Sequence, residues 1–184
     1  MSTFYHGFLK GETLTPHIGL CLTDDLSAAE SYAQGGKVAV VRFGVCVFSG
    51  PCGHPHALTK AAVEVSREGR EAVTYPGDDG ALGAADLLTY EDSDMQGRDH
   101  DTVRLNSDKA VRWCRVVCIV DAEWAPVMVS SGIDERAWPG FIKAWQALDI
   151  DEPGEVAGYL ELYGYDMGMA FAAAIADLAD DEGE

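Results

Sequence analysis

The sequence predicts an α+β fold, with a β-rich body over residues 1–124 and an acidic helical region over 125–184. Three observations predict it. Runs rich in Val, Phe and Leu, punctuated by Gly, Pro and Asp, recur through the first two thirds and read as strands. After Trp124-Ala125-Pro126 the apolar residues recur at three- and four-residue spacing instead. The charge divides at the same place: from Glu123 onward there are 14 acids and two bases (Arg136 and Lys143), against 17 acids and 11 bases before it.

Phe4 to Phe8 reads as a first short strand, and Gly11 to His17, with Pro16, as a polar loop. Ile18 to Thr23 is a second strand. Asp24 or Asp25 supplies an N-cap for a helix continuing through Ser27 to Gln34, which Gly35-Gly36 stops. Lys37 to Phe48 is the clearest strand region, and its near-continuous apolar run predicts burial on both faces. Ser49 to His56 holds two Pro and two Gly and reads as a loop. Leu58 to Gly69 has helical spacing, and Tyr75 to Gly83 is another Gly-rich loop. Asp86 to Asp92 and Thr102 to Leu105 read as a hairpin, whose connection, Ser93 to Asp101, is too long for a tight turn. Ala110 to Asp121 reads as the last strand. Glu135 to Leu148, Glu155 to Tyr163 and Gly168 to Leu178 read as three helices, which either form a separate appendage or pack directly on the sheet.

A chain of 184 residues fits one domain with a good core, or one domain with an appendage. It has no apolar run of about 18 residues and no basic-then-apolar leader, so neither a membrane span nor a signal peptide is expected. Five cysteines, an odd number, read as mostly free thiols in a reducing, cytoplasmic setting. The formal charge of −18 disfavours binding to nucleic-acid backbones, which needs clustered Lys and Arg, and permits attraction to a basic partner. A solvated acidic face is the simpler reading of that charge.

The chemistry concentrates near the N-terminus. His6 lies between Tyr5 and Gly7 on the first strand, and Thr23 ends the second. Tyr32 lies one and a half turns into the following helix. Three unlike polar groups beside an apolar floor suit a flat polar ring such as nicotinamide. Gly7 lets a ligand approach the backbone amide, His6 can donate to a ribose hydroxyl, and Tyr32 can stack on the ring if its helix packs under the first strand. Each residue alone is more often structural.

The order Tyr5-His6-Gly7 followed by GLCLTDDLSAAESY (Gly19 to Tyr32) resembles the ADP-ribosyltransferase family, both poly(ADP-ribose) polymerase-type domains and small bacterial or phage-borne enzymes. Cys21 stands where an aromatic is usual. The likeness covers about residues 3–45 well, about 86–121 loosely, and does not reach 125–184. It implies an ADP-ribosyltransferase-like split β-sheet with flanking helices, and NAD as co-substrate. It also implies a His–Tyr–acid triad of His6, Tyr32 and a hairpin carboxylate, with Tyr5, Gly7, Phe8 and Thr23 around the cofactor. Aligned on the segment after the hairpin, the acid is Asp101; aligned as in compact enzymes, it is Asp92, which closes the strand Tyr90-Glu91-Asp92. An Asp where polymerases carry Glu implies single transfer to a protein target rather than chain elongation. A non-catalytic acidic protein on the same scaffold, blocking a basic partner, is the alternative. An RNA 2′-phosphotransferase of similar fold needs bases around its phosphate, and Arg98 and Arg104 are scant provision.

Other clusters carry less. Cys46, Cys52, His54 and His56 have no common zinc spacing, and no metal is expected. No phosphate-binding G-x-x-x-x-G-K-[ST] loop occurs, and Gly77, Gly80 and Gly83 do not open a helix after a strand. Cys114 and Cys118 share a face if they lie on one strand and read as buried inert thiols; Trp138 and Trp145, seven apart, read as core.

Overall fold

Strand β1 (Thr3–Phe8) lies inside a sheet ordered β4-β5-β6-β2-β1-β3-β7, with β2 (Cys21–Thr23) on one side and β3 (Lys37–Phe43) on the other. The remaining strands are β4 (Ser49–Pro51), β5 (Leu87–Ser93), β6 (Asp99–Leu105) and β7 (Cys114–Asp121). Neighbours run antiparallel, except that β4 is parallel to β5. The helices are α1 (Leu26–Ala33), α2 (Asp108–Trp113), α3 (Ala125–Ser131), α4 (Trp138–Gln146), α5 (Pro153–Leu162) and α6 (Met167–Asp181). This computed structural model describes residues 3–43, 49–51, 87–105 and 107–181. The expected helix over 58–69, the Gly-rich loop over 75–83 and the Cys46–His56 cluster lie wholly or largely outside those residues.

The apolar run of β3 is buried on both faces, as its composition predicts. Val38 and Val40 enter one core with Ala29 and Ala33 of α1, while Ala39, Val41 and Phe43 enter a second core with Phe8, Leu22, Val103 and Leu105. The first core continues without a break into the C-terminal helices through Trp124, Met128, Trp138, Trp145, Val156 and Leu160. The helices over 125–181 therefore pack directly on the sheet and share its core, rather than standing apart as an appendage. Glu135 ties the two parts together, pairing with Arg42 of β3 and accepting from Thr3 Oγ1 at 3.1 Å. Those bonds outweigh desolvation and hold its carboxyl below the usual range.

Several boundaries differ from the sequence reading. β6 begins at Asp99, so the hairpin connection is Asp94 to Arg98, shorter than expected. Asp94 folds this turn by accepting from the Gln96 and Arg98 amides, both at 2.8 Å, and from Arg98 Nε at 2.7 Å. Ser49 to Pro51, expected as loop, pairs with β5. Ser107 caps a short helix where the last strand was expected to start; its hydroxyl accepts from Ala110 N at 3.1 Å, and β7 begins only at Cys114. Pro126 sits in the first turn of α3, a position that tolerates proline, so the helical region begins at Ala125 with a helix not read from the sequence.

Cys114 and Cys118 are both buried but face different cores. Val40 pairs with Cys118 and Val41 with Val116, so one residue of β7 bulges and alternation resets between the cysteines. Their expected common face rests on unbroken pairing, which the bulge removes. Burial raises the thiol of Cys114 to about 11 and that of Cys118 to about 12.

Candidate functional site

β1 and β2 share one register pair, Tyr5↔Thr23, and then separate. The chain before β2 stays with β6: Gly19 N donates to Leu105 O at 2.8 Å, and Leu105 N donates to Leu20 O at 3.0 Å. Gly19 sits at φ +96°, a conformation that glycine adopts without strain. His6 spans the resulting gap, its Nδ1 2.8 Å from the Cys21 carbonyl oxygen. A cavity of about 350 Å³ opens beside this gap, and it is lined by Tyr5, His6, Gly7, Phe8, Thr23, Tyr32 and Asp92 among others. Its size lies in the range of small-molecule sites.

α1 brings Tyr32 to this place. Asp25, one of the two expected caps, accepts from Ser27 N at 2.8 Å and Ala28 N at 3.3 Å. Thr23 Oγ1 accepts from Asp25 N at 3.0 Å and so helps set the entry to the helix. The buried side of α1 carries Ala28, Ala29, Ser31 and Ala33, small enough for the helix backbone to lie against β1. Gly7 completes that approach: a Cβ there would fall 1.8 Å from Ala29 O. Gly7 lines the cavity, but its missing side chain accommodates the helix, and this close packing adds to the ligand approach expected from sequence.

His6 departs from expectation in one respect. A carbonyl oxygen only accepts, so Nδ1 carries the proton and Nε2 of the neutral ring is an acceptor. Burial lowers the imidazole's pKa, against the opposing effect of the Cys21 bond, and so favours the neutral form. In that form His6 accepts from a hydroxyl through Nε2 rather than donating to it. Its ring stacks on Phe8, centroids 6.1 Å apart with an interplanar angle of 17°.

Tyr32 Oη donates to Ser93 O at 2.9 Å, fastening α1 to the β5–β6 hairpin. Arg98 Nη2 adds a second tie to Ser27 O at 3.2 Å. Burial, then the charges of Asp92 and Asp94, raise the Tyr32 phenol's pKa. The hairpin register distinguishes the two candidate acids. Asp92 pairs with His100 and lines the cavity; Asp101 pairs with Glu91, is exposed, and does not line it. Successive strand side chains leave on opposite faces, so Asp101 points away from the face carrying His100 and Thr102.

His100 is a member of the site that the sequence reading passed over. It is 7% exposed, lines the cavity, and meets the Tyr32 ring edge to face at 5.8 Å. Its Nε2 lies 3.2 Å from Thr102 Oγ1. His100, Thr102 and Arg104 are every second residue of β6 and all three are buried, but Val103 and Leu105 are buried as well, so alternation gave no usable signal. A second cavity of about 630 Å³ adjoins the first, shares His6, Phe8, Glu12 and Cys21 with it, and extends along the loop from Gly11 to Gly19. Arg104 Nη2 lies directly behind Gly19, 3.0 Å from where a Cβ would stand.

The described part of this site offers an acceptor nitrogen on His6, hydroxyls on Thr23 and Thr102, an aromatic wall of Tyr32 and Phe8, and two carboxylates, Asp92 and Glu12, the second of which accepts from Leu9 N at 3.0 Å. Such a set can hold a planar polar ring, bind a sugar hydroxyl and stabilise positive charge beside a carboxylate. Among the described residues no group of three or more His, Cys, Asp or Glu is arranged to hold a metal, and no helix is long and apolar enough to cross a membrane. No protein-family model, curated protein or solved structure matches this chain.

Proposed function

We propose that the protein is a mono-ADP-ribosyltransferase that moves ADP-ribose from NAD to a protein target and releases nicotinamide. One observation carries the reading: His6, Tyr32 and Asp92, far apart in sequence, line one cavity where β1 and β2 part. In this proposal the nicotinamide ring enters the cavity between Tyr32 and Phe8. His6 Nε2 accepts from a ribose hydroxyl, and Asp92 accepts from the 2′-hydroxyl. The C1′–N bond breaks with its electron pair leaving on nicotinamide. Asp92 stabilises the positive charge that grows on the ribose, and a target side chain then donates a pair to C1′ and loses its proton to solvent water. The adjoining cavity takes the ADP portion along the loop from Gly11 to Gly19.

The test incubates the full chain with NAD labelled in its adenylate part and a cell lysate, following free nicotinamide and labelled protein. His6→Ala, Tyr32→Ala and Asp92→Ala should each lower nicotinamide release by at least a hundredfold while circular dichroism is unchanged, and Asp101→Ala should stay within threefold of the parent. Absence of both label and nicotinamide release would defeat the reading and leave the non-catalytic binding protein in its place.

A further inference from the structure

The acidic C-terminal helices carry a second concavity, independent of the cleft at β1 and β2. It lies along α5 and α6 and the turn after α4, and measures about 580 Å³. Its apolar lining includes Leu148, Leu162 and Leu178, and its charged lining is Asp149, Glu155 and Asp177, with no basic residue among those that line it. Leu162 is 74% exposed and Leu178 36%, and Ile175 on the same helix as Leu178 is 47% exposed. An apolar floor edged by carboxylates occurs in the part of the chain holding 14 acids and two bases.

Gly158 also lines this groove, in the interior of α5. Glycine weakens a helix interior, and it is usually kept there where another backbone comes close. Here a Cβ would meet nothing within 4 Å. Packing does not require this glycine; what the absent side chain leaves is depth in the groove.

We infer that the groove between α5 and α6 is a docking site for a basic amphipathic helix, with leucine-like residues on one face and Lys or Arg flanking them. The floor takes the apolar face, and Asp149, Glu155 and Asp177 face the cations. A helix rather than a strand fits because α5 and α6 satisfy their own backbone groups and present no sheet edge. The 15 residues of α6 span about 22 Å, which matches a partner helix of about four turns. Asp177 is held in place at the groove, accepting from Tyr159 Oη at 2.9 Å.

Fluorescence anisotropy with a labelled 16-residue Leu/Lys helix tests this on the full chain in 0.15 M salt. The control is an isomer of equal composition and charge with its leucines spread around the helix. The amphipathic peptide should bind at least tenfold more tightly than its isomer. Gly158→Phe, which fills the groove, and Leu162→Lys, at a position 74% exposed and outside the core, should each weaken binding tenfold or more. Glu155→Lys should weaken it more than Asp24→Lys, which makes the same charge change far away in sequence, on the exposed turn before α1. Equal binding of the two peptides, or unchanged binding by folded Gly158→Phe and Leu162→Lys proteins, would reduce the effect to general attraction by the net charge and overturn the assignment, as would no binding at all.

Discussion

His6 donates from Nδ1 to the carbonyl oxygen of Cys21 across 2.8 Å, in the gap where the ladder between β1 and β2 has stopped. The imidazole thus replaces a backbone pairing, and it does so as a neutral ring. Burial lowers its pKa below the ordinary value of about 6.5. The unfolded chain then binds a proton more readily than the folded one. The contribution of neutral His6 is fully present above about pH 6.5 and is lost as pH falls through the lower, folded value. Urea unfolding from pH 8 to 5 should show the parent losing its advantage over His6→Ala through that window. Parallel profiles for the two proteins would rule this out.

Gly7 and Ala29 make the closest approach of helix to strand at the site, since a Cβ on Gly7 would stand 1.8 Å from Ala29 O. Gly7→Ala must push α1 off β1 and carry Tyr32 with it. We expect a loss of about 3 kcal/mol, at the upper end of ordinary overpacking costs. Chemical denaturation measures it, and a loss below about 1 kcal/mol would mean that α1 can shift without strain.

The Tyr32 hydroxyl holds the hairpin to α1 through Ser93 O. Tyr32→Phe keeps the ring against His100 and deletes this bond, so stability should fall by no more than about 1 kcal/mol. The local effect is larger. Amide exchange at residues 94–99 should quicken several-fold while exchange in β3 is unchanged. Unchanged exchange rates would show that the remaining ties, Arg98 Nη2 to Ser27 O and Gln34 Nε2 to Met95 Sδ, suffice to hold the hairpin.

Cys114 and Cys118 are raised by burial to about 11 and about 12, so at pH 8 almost none of either is thiolate. Alkylation of the native protein followed by peptide mapping should leave both unmodified, and both should react once the chain is unfolded in urea. Rapid native labelling of Cys118 would mean that β7 opens from the helical core.

Trp145 is fully buried and lies within 6 Å, ring centroid to centroid, of Phe141, Tyr159 and Phe171. Trp145→Ala should cost about 3–5 kcal/mol. Because this core is continuous with Val38 and Val40 of β3, the sheet should unfold together with the helices in one transition. Two separated transitions in the parent protein would contradict the shared core.

Much of the site was legible because its parts are local. Asp25 as cap, Tyr32 on the helix after it, and His6 and Gly7 on a short apolar strand all follow from turn chemistry and periodicity within some 30 residues. His100 was not legible, because its place depends on where the hairpin turns. Asp94 folds that turn with its own carboxylate, starts β6 at Asp99 and sets Asp92 opposite His100. Counting charges in the segment cannot show which aspartate acts in this way. The Cys114–Cys118 pair failed for a related reason: alternation holds only between bulges, and the bulge in β7 answers to its pairing with β3.

The sequence by itself determined the α+β class, the strands and helix that carry His6 and Tyr32, and the acidic character of the C-terminal third, since these rest on neighbouring residues and net composition. Tertiary structure alone decided that the C-terminal helices complete the core of the sheet, that Asp92 rather than Asp101 reaches the cavity, and that Gly7 makes room for α1. Each depends on strand register or on the approach of two backbones, which arise from contacts between residues distant in the chain and leave no periodic trace in either partner.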